Sequence, residues 1–286
     1  MSMHRKLAYG LAAGCALATA GGGVALAASA GSTAAALPQL NVTLTGKSIA
    51  ISGQEVSGGV QVVAHTTGEP AGEPILVRLN DGVSYGQAFA QFKAIGHDPN
   101  AVRRVGATVF DATAPKGTTD VQVNLQPGNY IAVDVGGQHG SGPPSGPPPS
   151  TTFTISPSAH PAALPAPAAT VRAIEFAFRG AGTLRSGSMV RWRNDGYVVH
   201  MFFMIRTTRR FPAARVARLL RQGKDMQLPQ SLFNTTAGAG SLSWQAYQQQ
   251  RLDLRPGTYV LACFMDTQDH REHTRLGMER IIKVVR

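Results

Sequence analysis

The chain has 286 residues, of which 27 are Lys or Arg and 16 are Asp or Glu, so its formal net charge is +11 at pH 7. This length allows two domains of about 100 to 150 residues each. It contains two cysteines, and one of them, Cys15, lies in the first 30 residues, so the sequence excludes an intramolecular disulfide framework.

The first 30 residues have the pattern of a secretory signal peptide. Arg5 and Lys6 precede a stretch of small and apolar residues, and Ala28-Ser29-Ala30 offers a small-x-small cleavage site. Glycines interrupt the stretch, which falls short of the about 20 strongly apolar residues of a membrane span. We therefore expect an exported protein that is secreted, periplasmic or associated with the cell envelope, and that has no transmembrane span in its mature form. A lipid anchor at Cys15 is an alternative.

Two pairs of similar segments indicate an internal repeat. Residues 74–78 (PILVR) match 202–206 (FFMIR) at an offset of 128, and residues 125–133 (LQPGNYIAV) match 254–262 (LRPGTYVLA) at an offset of 129. Two features that keep nearly the same offset favour duplication of one structural unit over chance.

Each copy reads as a series of short strands with one inserted amphipathic helix. The helices are predicted at 85–95 and 213–221. In the second copy, apolar runs bounded by Gly, Pro, Asn or Asp predict strands at 171–178, 189–193, 200–206, 250–254, 258–263 and 280–285. The pattern predicts an all-β chain of two tandem Greek-key β-sandwich domains.

The predicted boundary between the copies is the Pro- and Ala-rich segment 157–169. It contains four prolines, which favour an extended and fairly stiff linker. The domains are accordingly predicted at 38–156 and 170–286, and a second low-complexity stretch, 136–150, lies inside the first of them.

Positive charge is concentrated in the second half of the chain. Residues 161–286 hold nineteen Lys or Arg and eight Asp or Glu, whereas residues 31–160 hold six and eight. A basic exported domain favours an acidic redox partner or an anionic envelope surface, and nucleic acid is not expected. A solvated basic face without any ligand is the alternative.

Four residues of the second half form the ligand set of a blue-copper centre. A thiolate, two imidazoles and a thioether, in the order His200, Cys263, His273 and Met278, would give a trigonal plane with a weak axial ligand. His270 competes with His273 for the second imidazole position. Taken singly, each of these residues could also be an ordinary core residue.

Three motifs around these residues resemble the cupredoxin family, the plastocyanin- and azurin-like blue-copper proteins. They are the strand end Val190-x-Trp192-x-Asn194-x-Gly196 before His200, the strand Pro256-Gly257-Thr258-Tyr259 leading into Cys263, and the closing His273-x4-Met278 with Gly277. The resemblance covers about residues 170–286. The nine residues between Cys263 and His273 make a longer loop than in plastocyanin-like members, and this loop is similar in length to that of copper nitrite reductases.

The resemblance implies one copper and a role for each residue. Cys263 would supply the thiolate, His200 and His273 would complete the plane, and Met278 would be the weak axial ligand. Asn194 would brace the His200 loop from outside the ligand sphere, and the exposed edge of His273 would be the route for electrons.

The first copy is expected to be a degenerate cupredoxin-like domain that binds no copper. The repeat offset places Asp134 opposite Cys263 and Gly72 opposite His200, and only His139 remains in its loop.

The sequence thus predicts an exported blue-copper protein that transfers electrons. A metal-free cupredoxin-fold module for envelope binding or adhesion is the first alternative, and a copper carrier is the second. Enzymatic activity is not expected, because the chain has no His-x-His pair and no GxSxG, HExxH or P-loop pattern.

Overall fold

A computed structural model of the chain describes residues 36–95, 98–136, 148–235 and 237–286. The expected signal peptide 1–30, the alternative anchor residue Cys15 and the loop residue His139 lie outside the described residues. In the part of the chain that is described, no helix has the length and apolar character needed to cross a membrane.

The first half contains eight strands and one α-helix. They are β1 (Gln39–Leu44), β2 (Ile49–Gly53), β3 (Gly58–Gly72), β4 (Pro74–Leu79), α1 (Tyr85–Ile95), β5 (Gly106–Asp111), β6 (Ala114–Leu125), β7 (Gly128–Asp134) and β8 (Ser150–Ile155). A 3₁₀ helix, Pro99–Arg104, connects α1 to β5.

The second half contains nine strands and one α-helix. They are β9 (Ala169–Ile174), β10 (Ala177–Gly180), β11 (Thr183–Arg185), β12 (Met189–Asn194), β13 (His200–Arg206), α2 (Ala213–Arg221), β14 (Gly238–Leu242), β15 (Tyr247–Arg251), β16 (Gly257–Ala262) and β17 (Glu279–Val285). Short 3₁₀ turns are formed by Asp225–Gln227, Gln230–Leu232 and His273–Leu276.

Alternating burial explains why most of these segments are strands. Side chains of β1 and β12 are buried at every second position, as expected for strands with one face on a core. In β13 every residue except the last is buried, so this strand has apolar neighbours on both faces. The chain is mostly β, as the sequence predicts, and both helices have the predicted bounds.

The strands form three sheets. A four-stranded sheet has the order β5-β4-β7-β8, and a five-stranded sheet has the order β11-β17-β16-β13-β14. The third sheet has eight strands in the order β10-β9-β12-β15-β6-β3-β1-β2 and runs through both halves. The halves join in this sheet where β15 pairs with β6, at Gln248↔Val123 and Gln249↔Gln122.

The two halves repeat the same arrangement of strands. The order β2-β1-β3-β6 in the first half corresponds to β10-β9-β12-β15 in the second, and β5-β4-β7-β8 corresponds to β14-β13-β16-β17. The Tyr130 hydroxyl donates to the carbonyl of Gln126 at 2.7 Å, and the Tyr259 hydroxyl donates to that of Arg255 at 2.8 Å. These matching bonds follow the offset of 129 found in the sequence.

Two of the six strands predicted in the second half differ in the structure, and two further strands, β11 and β14, were not predicted. The segment predicted as one strand, 171–178, is the hairpin of β9 and β10, because Glu175 turns the chain with a φ of 42°. The strand predicted at 250–254 begins earlier, at Tyr247. Its buried residues include Gln248 and Gln249, which are polar, so a search for apolar residues does not find this part of the strand. Gln248 is satisfied there by the backbone of Asp111, with bonds of 3.1 and 3.0 Å.

The segment 157–169 is hydrogen-bonded to both halves. The amide of Gly59 donates to Ala162 at 2.6 Å, that of Ala168 donates to Met189 at 2.9 Å, and the side chain of Gln249 donates to Pro165 at 3.0 Å. Its last residue, Ala169, already belongs to β9. The halves are therefore held against each other instead of being spaced apart.

The larger of the two hydrophobic cores also crosses between the halves. The smaller core contains residues of the first half alone. The larger core fills the second half and includes six buried residues of the first, namely Val77, Leu79, Ala88, Val102, Val105 and Ile131. The second half thus completes its core with side chains from the first.

Candidate metal centre

Strand pairing brings the four predicted ligands to one edge of the five-stranded sheet. His200 begins β13, Cys263 follows the last residue of β16, His273 begins a 3₁₀ turn, and Met278 directly precedes β17. Antiparallel pairing places the start of β13 and the start of β17 beside the end of β16. All four side chains are fully buried.

Three of these residues form a compact cluster around the sulfur. The Nδ1 atom of His273 lies 3.3 Å from Cys263 Sγ, and that of His200 lies 3.8 Å from it. One ligand atom from each residue lies within 4.8 Å of the others. Within the described ranges, this is the only group of three or more His, Cys, Asp or Glu residues close enough to hold a metal ion.

Hydrogen bonds within the loop fix the relative positions of Cys263, His273 and Met278. The amide of His273 donates to Met265 at 2.9 Å, that of Met278 donates to His273 at 3.0 Å, and that of Cys263 donates to Met278 at 3.3 Å. Gly277 permits the tight turn before Met278 because it adopts a φ of 92°, which residues with a side chain rarely adopt. The nine-residue loop is therefore closed by its own backbone.

The sulfur of Cys263 accepts hydrogen bonds from two backbone amides. The amide of Met201 donates to Sγ at 3.2 Å, and the backbone of Met265 also hydrogen-bonds to it. Such N–H groups favour a negatively charged acceptor.

The first half repeats this arrangement around a carboxylate. Asp134, which occupies the position equivalent to Cys263, accepts from the amides of Glu73 and Gly136, both at 3.0 Å. These two amides occupy the positions equivalent to Met201 and Met265. A pair of backbone amides therefore donates to a carboxylate in the first half and to a sulfur in the second. Because the equivalent pair accommodates an anion in the first half, the pair at Cys263 supports a thiolate once a cation is bound.

Asn194 holds the loop that leads to His200. Its side-chain amide donates to the carbonyls of Val198 at 2.7 Å and Leu242 at 2.8 Å. Its oxygen accepts from the amide of Gly196 at 2.8 Å. Asn194 therefore ties both ends of the loop between β12 and β13.

Burial sets the protonation states of the cluster in the metal-free protein. Burial, and to a smaller extent the neighbouring His273, lowers the pKa of His200 to about 3, and burial lowers the pKa of His273 to about 4. Burial raises the pKa of Cys263 to about 12, against the opposing effect of its two backbone hydrogen bonds. At neutral pH the cluster therefore consists of two neutral imidazoles and a thiol.

The donor set fits a copper ion. Both imidazoles are in the neutral form that binds metals, and both direct Nδ1 to the sulfur. Among the described residues, neither ring has a hydrogen-bond partner at its buried Nε2 atom, which is unusual for polar atoms. A bound cation would deprotonate the thiol and compensate for the burial of all three groups.

The structure distinguishes His273 from His270. His273 lies in the cluster, whereas His270 lies on an exposed turn with a φ of 60°. In the sequence, the spacing to Met278 favours His273, with His270 as the alternative; the positions of the two side chains in the folded loop also favour His273.

The expectation that His273 has an exposed edge is wrong. Its exposed fraction is 0%, and the half-buried ring of Phe176 contacts it edge to face, with 5.0 Å between ring centroids and an interplanar angle of 73°. Phe176 lies in the turn between β9 and β10. Sequence analysis missed it because that turn was predicted to be continuous strand.

Comparisons with known proteins give structural likeness only. No family model and no curated protein matches the chain. Among solved structures, auracyanin B is 21% identical, covering 43% of this chain and 93% of its own, with a TM-score of 0.28. Auracyanin A, a "blue" copper protein from Chloroflexus aurantiacus, is 16% identical, covering 41% and 96%, with a TM-score of 0.25.

A likeness that spans more of the chain is to a Cu-containing nitrite reductase from Thermus scotoductus. It is 10% identical and covers 87% of this chain and 68% of its own, with a TM-score of 0.26. Identities and scores of this size do not show a family. The interpretation of the site therefore depends on the positions of its own side chains.

Proposed function

We propose that this protein is a blue-copper protein that binds one copper ion in its second half and transfers electrons. The observation that carries the proposal is the buried cluster of His200, Cys263 and His273, in which both Nδ1 atoms face a sulfur held by two backbone amides. In this proposal residues 170–286 form a Greek-key domain of the cupredoxin kind. Residues 38–156 form a second such domain without copper ligands.

Each residue of the cluster has a defined task in this proposal. Cys263 would bind as a thiolate, His200 and His273 would bind through Nδ1, and Met278 would be the weak axial ligand. Copper bound there would supply one-electron chemistry. The buried side chains exclude water, and the closed loop keeps them in one geometry, so that accepting or releasing an electron requires little movement.

Electron transfer is favoured over copper transport because the centre is enclosed. A carrier must exchange its metal through an open site, whereas all four proposed ligands here are fully buried. We propose a redox protein, not an enzyme, that acts outside the cytoplasm with an acidic partner or at an anionic envelope surface. The basic second half supports this choice of partner.

The test is the visible absorption spectrum of the protein during titration with Cu(II). We expect an intense thiolate-to-copper band that saturates at one copper per chain. Cys263→Ser and His273→Ala should abolish the band, whereas His270→Ala, a matched change in the same loop, should leave it intact.

Two other results would favour one of the alternative functions. A colourless protein that retains no stoichiometric copper would contradict the proposal and favour a metal-free envelope module. A coloured protein that loses its copper to a chelator within seconds would favour a copper carrier.

A further inference from the structure

We propose that the first half of the chain is part of the metal centre, and that Asn100 is a positioning residue for His200. This inference rests on the proposed copper function. It assigns a task to a half of the molecule that has no metal-ligand cluster among its described residues.

The central contact joins residues 99 positions apart in the chain. The side-chain oxygen of Asn100 accepts a hydrogen bond of 2.7 Å from the backbone amide of Val199, the residue directly before His200. Asn100 is 6% exposed and Val199 is 4% exposed. A buried amide that loses its acceptor is destabilised, so this bond restricts where the backbone before His200 can lie.

Asn100 is itself held in place by the first half. It belongs to the 3₁₀ helix Pro99–Arg104, whose N-cap residue Asp98 accepts from the amide of Asn100 at 3.0 Å. Val102 on the same helix is buried in the larger core, in the same cluster as Val199. The acceptor that reaches Val199 is therefore part of a rigid element.

A second contact from the same helix reaches the same loop. The guanidinium of Arg103 lies over the ring of Tyr197, 5.0 Å from its centroid. The loop between β12 and β13 is thus held from its own half by Asn194 and from the other half by Asn100 and Arg103. Since His200 begins the strand that follows this loop, its ring position depends on both halves.

Metal affinity is sensitive to such support. Groups that orient a metal ligand typically contribute about 10- to 100-fold to metal affinity. Asn100 acts through the backbone and does not contact the ligand ring, so we place its effect at the lower end of that range.

The test compares three variants of the full chain. Asn100→Leu removes the acceptor at similar volume, and Asn100→Asp keeps an acceptor at the same position. Gln122→Met is the matched control, because it removes a different side-chain bond between the halves, the 2.8 Å bond from Gln249, away from the His200 loop.

Two measurements are made on each variant. The first is the rate at which the copper-loaded protein releases copper to a chelator, together with its visible spectrum. The second is hydrogen exchange of the Val199 amide in the metal-free protein. We expect Asn100→Leu to release copper about tenfold faster and to lose protection at Val199. Asn100→Asp should retain that protection, and Gln122→Met should match the unsubstituted protein in both measurements.

Two outcomes would overturn the inference, and they can be told apart. If Asn100→Leu releases copper at the same rate as Gln122→Met and has an unchanged visible spectrum, then Asn100 is not a positioning residue. If the unsubstituted protein takes up no copper, the proposed function fails and this inference fails with it.

Discussion

The sulfur of Cys263 combines two opposing influences. Complete burial favours the uncharged thiol and raises its pKa to about 12, whereas the amides around it favour a thiolate. A bound cation adds to the effect of the amides, so that the thiolate becomes more stable than the thiol. Because both neighbouring histidines are neutral at pH 7, the charge change on metal binding falls on the cysteine.

Copper binding at pH 7 should therefore release about one proton per chain. The proton comes from the Cys263 thiol, since the pKa values of His200 and His273 are already far below 7. Calorimetric titrations in buffers of different ionisation enthalpy measure this number. Cys263→Ser should release none, and a value of zero for the unsubstituted protein would show that Cys263 is not a ligand.

The two histidines also predict how acid affects the metal-free protein. Their pKa values in the folded state, about 3 and about 4, lie below the ordinary value of 6.5. Between these values the unfolded chain binds more protons than the folded chain, so stability should fall as the pH decreases from about 6.5 towards 4.

Urea unfolding at a series of pH values measures this loss of stability. Because one of the two titrating groups is removed, His273→Gln should reduce the dependence on pH by about one proton. An unchanged dependence would show that His273 is not buried as a neutral ring.

Among individual residues, the sequence singled out the proposed ligands and one supporting residue, Asn194, but not Phe176 or Asn100. The order and spacing of His200, Cys263, His273 and Met278 suggest a ligand set because those residue types bind copper. Phe176 and Asn100 carry no such signal, because a phenylalanine in a turn and an asparagine after a proline are ordinary residues. Their roles depend on contacts made across the fold.

At the scale of elements, helix α2 supports the loop that carries His273. The helix packs against β16 and against the 3₁₀ turn His273–Leu276. Its buried residues are Val216, Ala217, Leu219 and Leu220, which form one apolar stripe along the helix. The inserted helix of the second half is therefore part of the structure around the centre.

Removing one side chain from that stripe should destabilise the protein. Leu220 is fully buried, so Leu220→Ala should reduce the free energy of unfolding by about 2 to 5 kcal/mol. Arg218→Ala, on the exposed face of the same helix, should change it by less than about 0.5 kcal/mol. Chemical denaturation measures both. Equal effects of the two substitutions would contradict the packing of α2 described above.

The elements themselves were largely predictable, and the exceptions have physical causes. Both helices and β13 were found from apolar periodicity because their burial follows it. The β9–β10 turn was missed because a non-glycine residue, Glu175, adopts a positive φ. Strand β15 was misplaced because its buried residues are glutamines that hydrogen-bond to neighbouring elements.

For the whole molecule, the distribution of charge near the centre is uneven. Seven basic residues between positions 206 and 224 are exposed, and no acidic residue lies among them in the sequence; they are Arg206, Arg209, Arg210, Arg215, Arg218, Arg221 and Lys224. One of them, Arg221, forms an ion pair with Glu279. Since α2 packs beside the turn that carries His273, this surface adjoins the proposed copper site.

Electron exchange with an anionic probe should therefore slow as salt is added. At 0.1 M ionic strength the Debye length is about 10 Å, so charges farther apart than this are largely screened from each other. Stopped-flow rates with hexacyanoferrate should fall with ionic strength, and those with a cationic cobalt complex should rise. Arg218→Glu should reduce the first dependence more than Arg251→Glu at the end of β15, beside the start of β12. Equal effects would show that this surface does not guide the probe.

How the halves join could not be predicted from the sequence. The repeat and the proline-rich segment suggested two separate units on a spacer. The pairing of β6 with β15 has no signature in the sequence, because it joins the edges of two strands that lie more than 100 residues apart in the chain. The shared core could not be predicted either, because the sequence gives no sign that Val102 and Val105 belong to the larger core, which fills the second half.

The eight-stranded sheet also bears on the evolution of a duplicated chain. After duplication, a copy that binds no metal is ordinarily free to accumulate changes and be lost. Here β6 of that copy is the hydrogen-bonding neighbour of β15, so its deletion would expose β15 as a bare edge. Bare edges invite aggregation with other chains. Selection for solubility would therefore favour retaining the first copy, although Asp134 and Gly72 occupy the positions equivalent to Cys263 and His200.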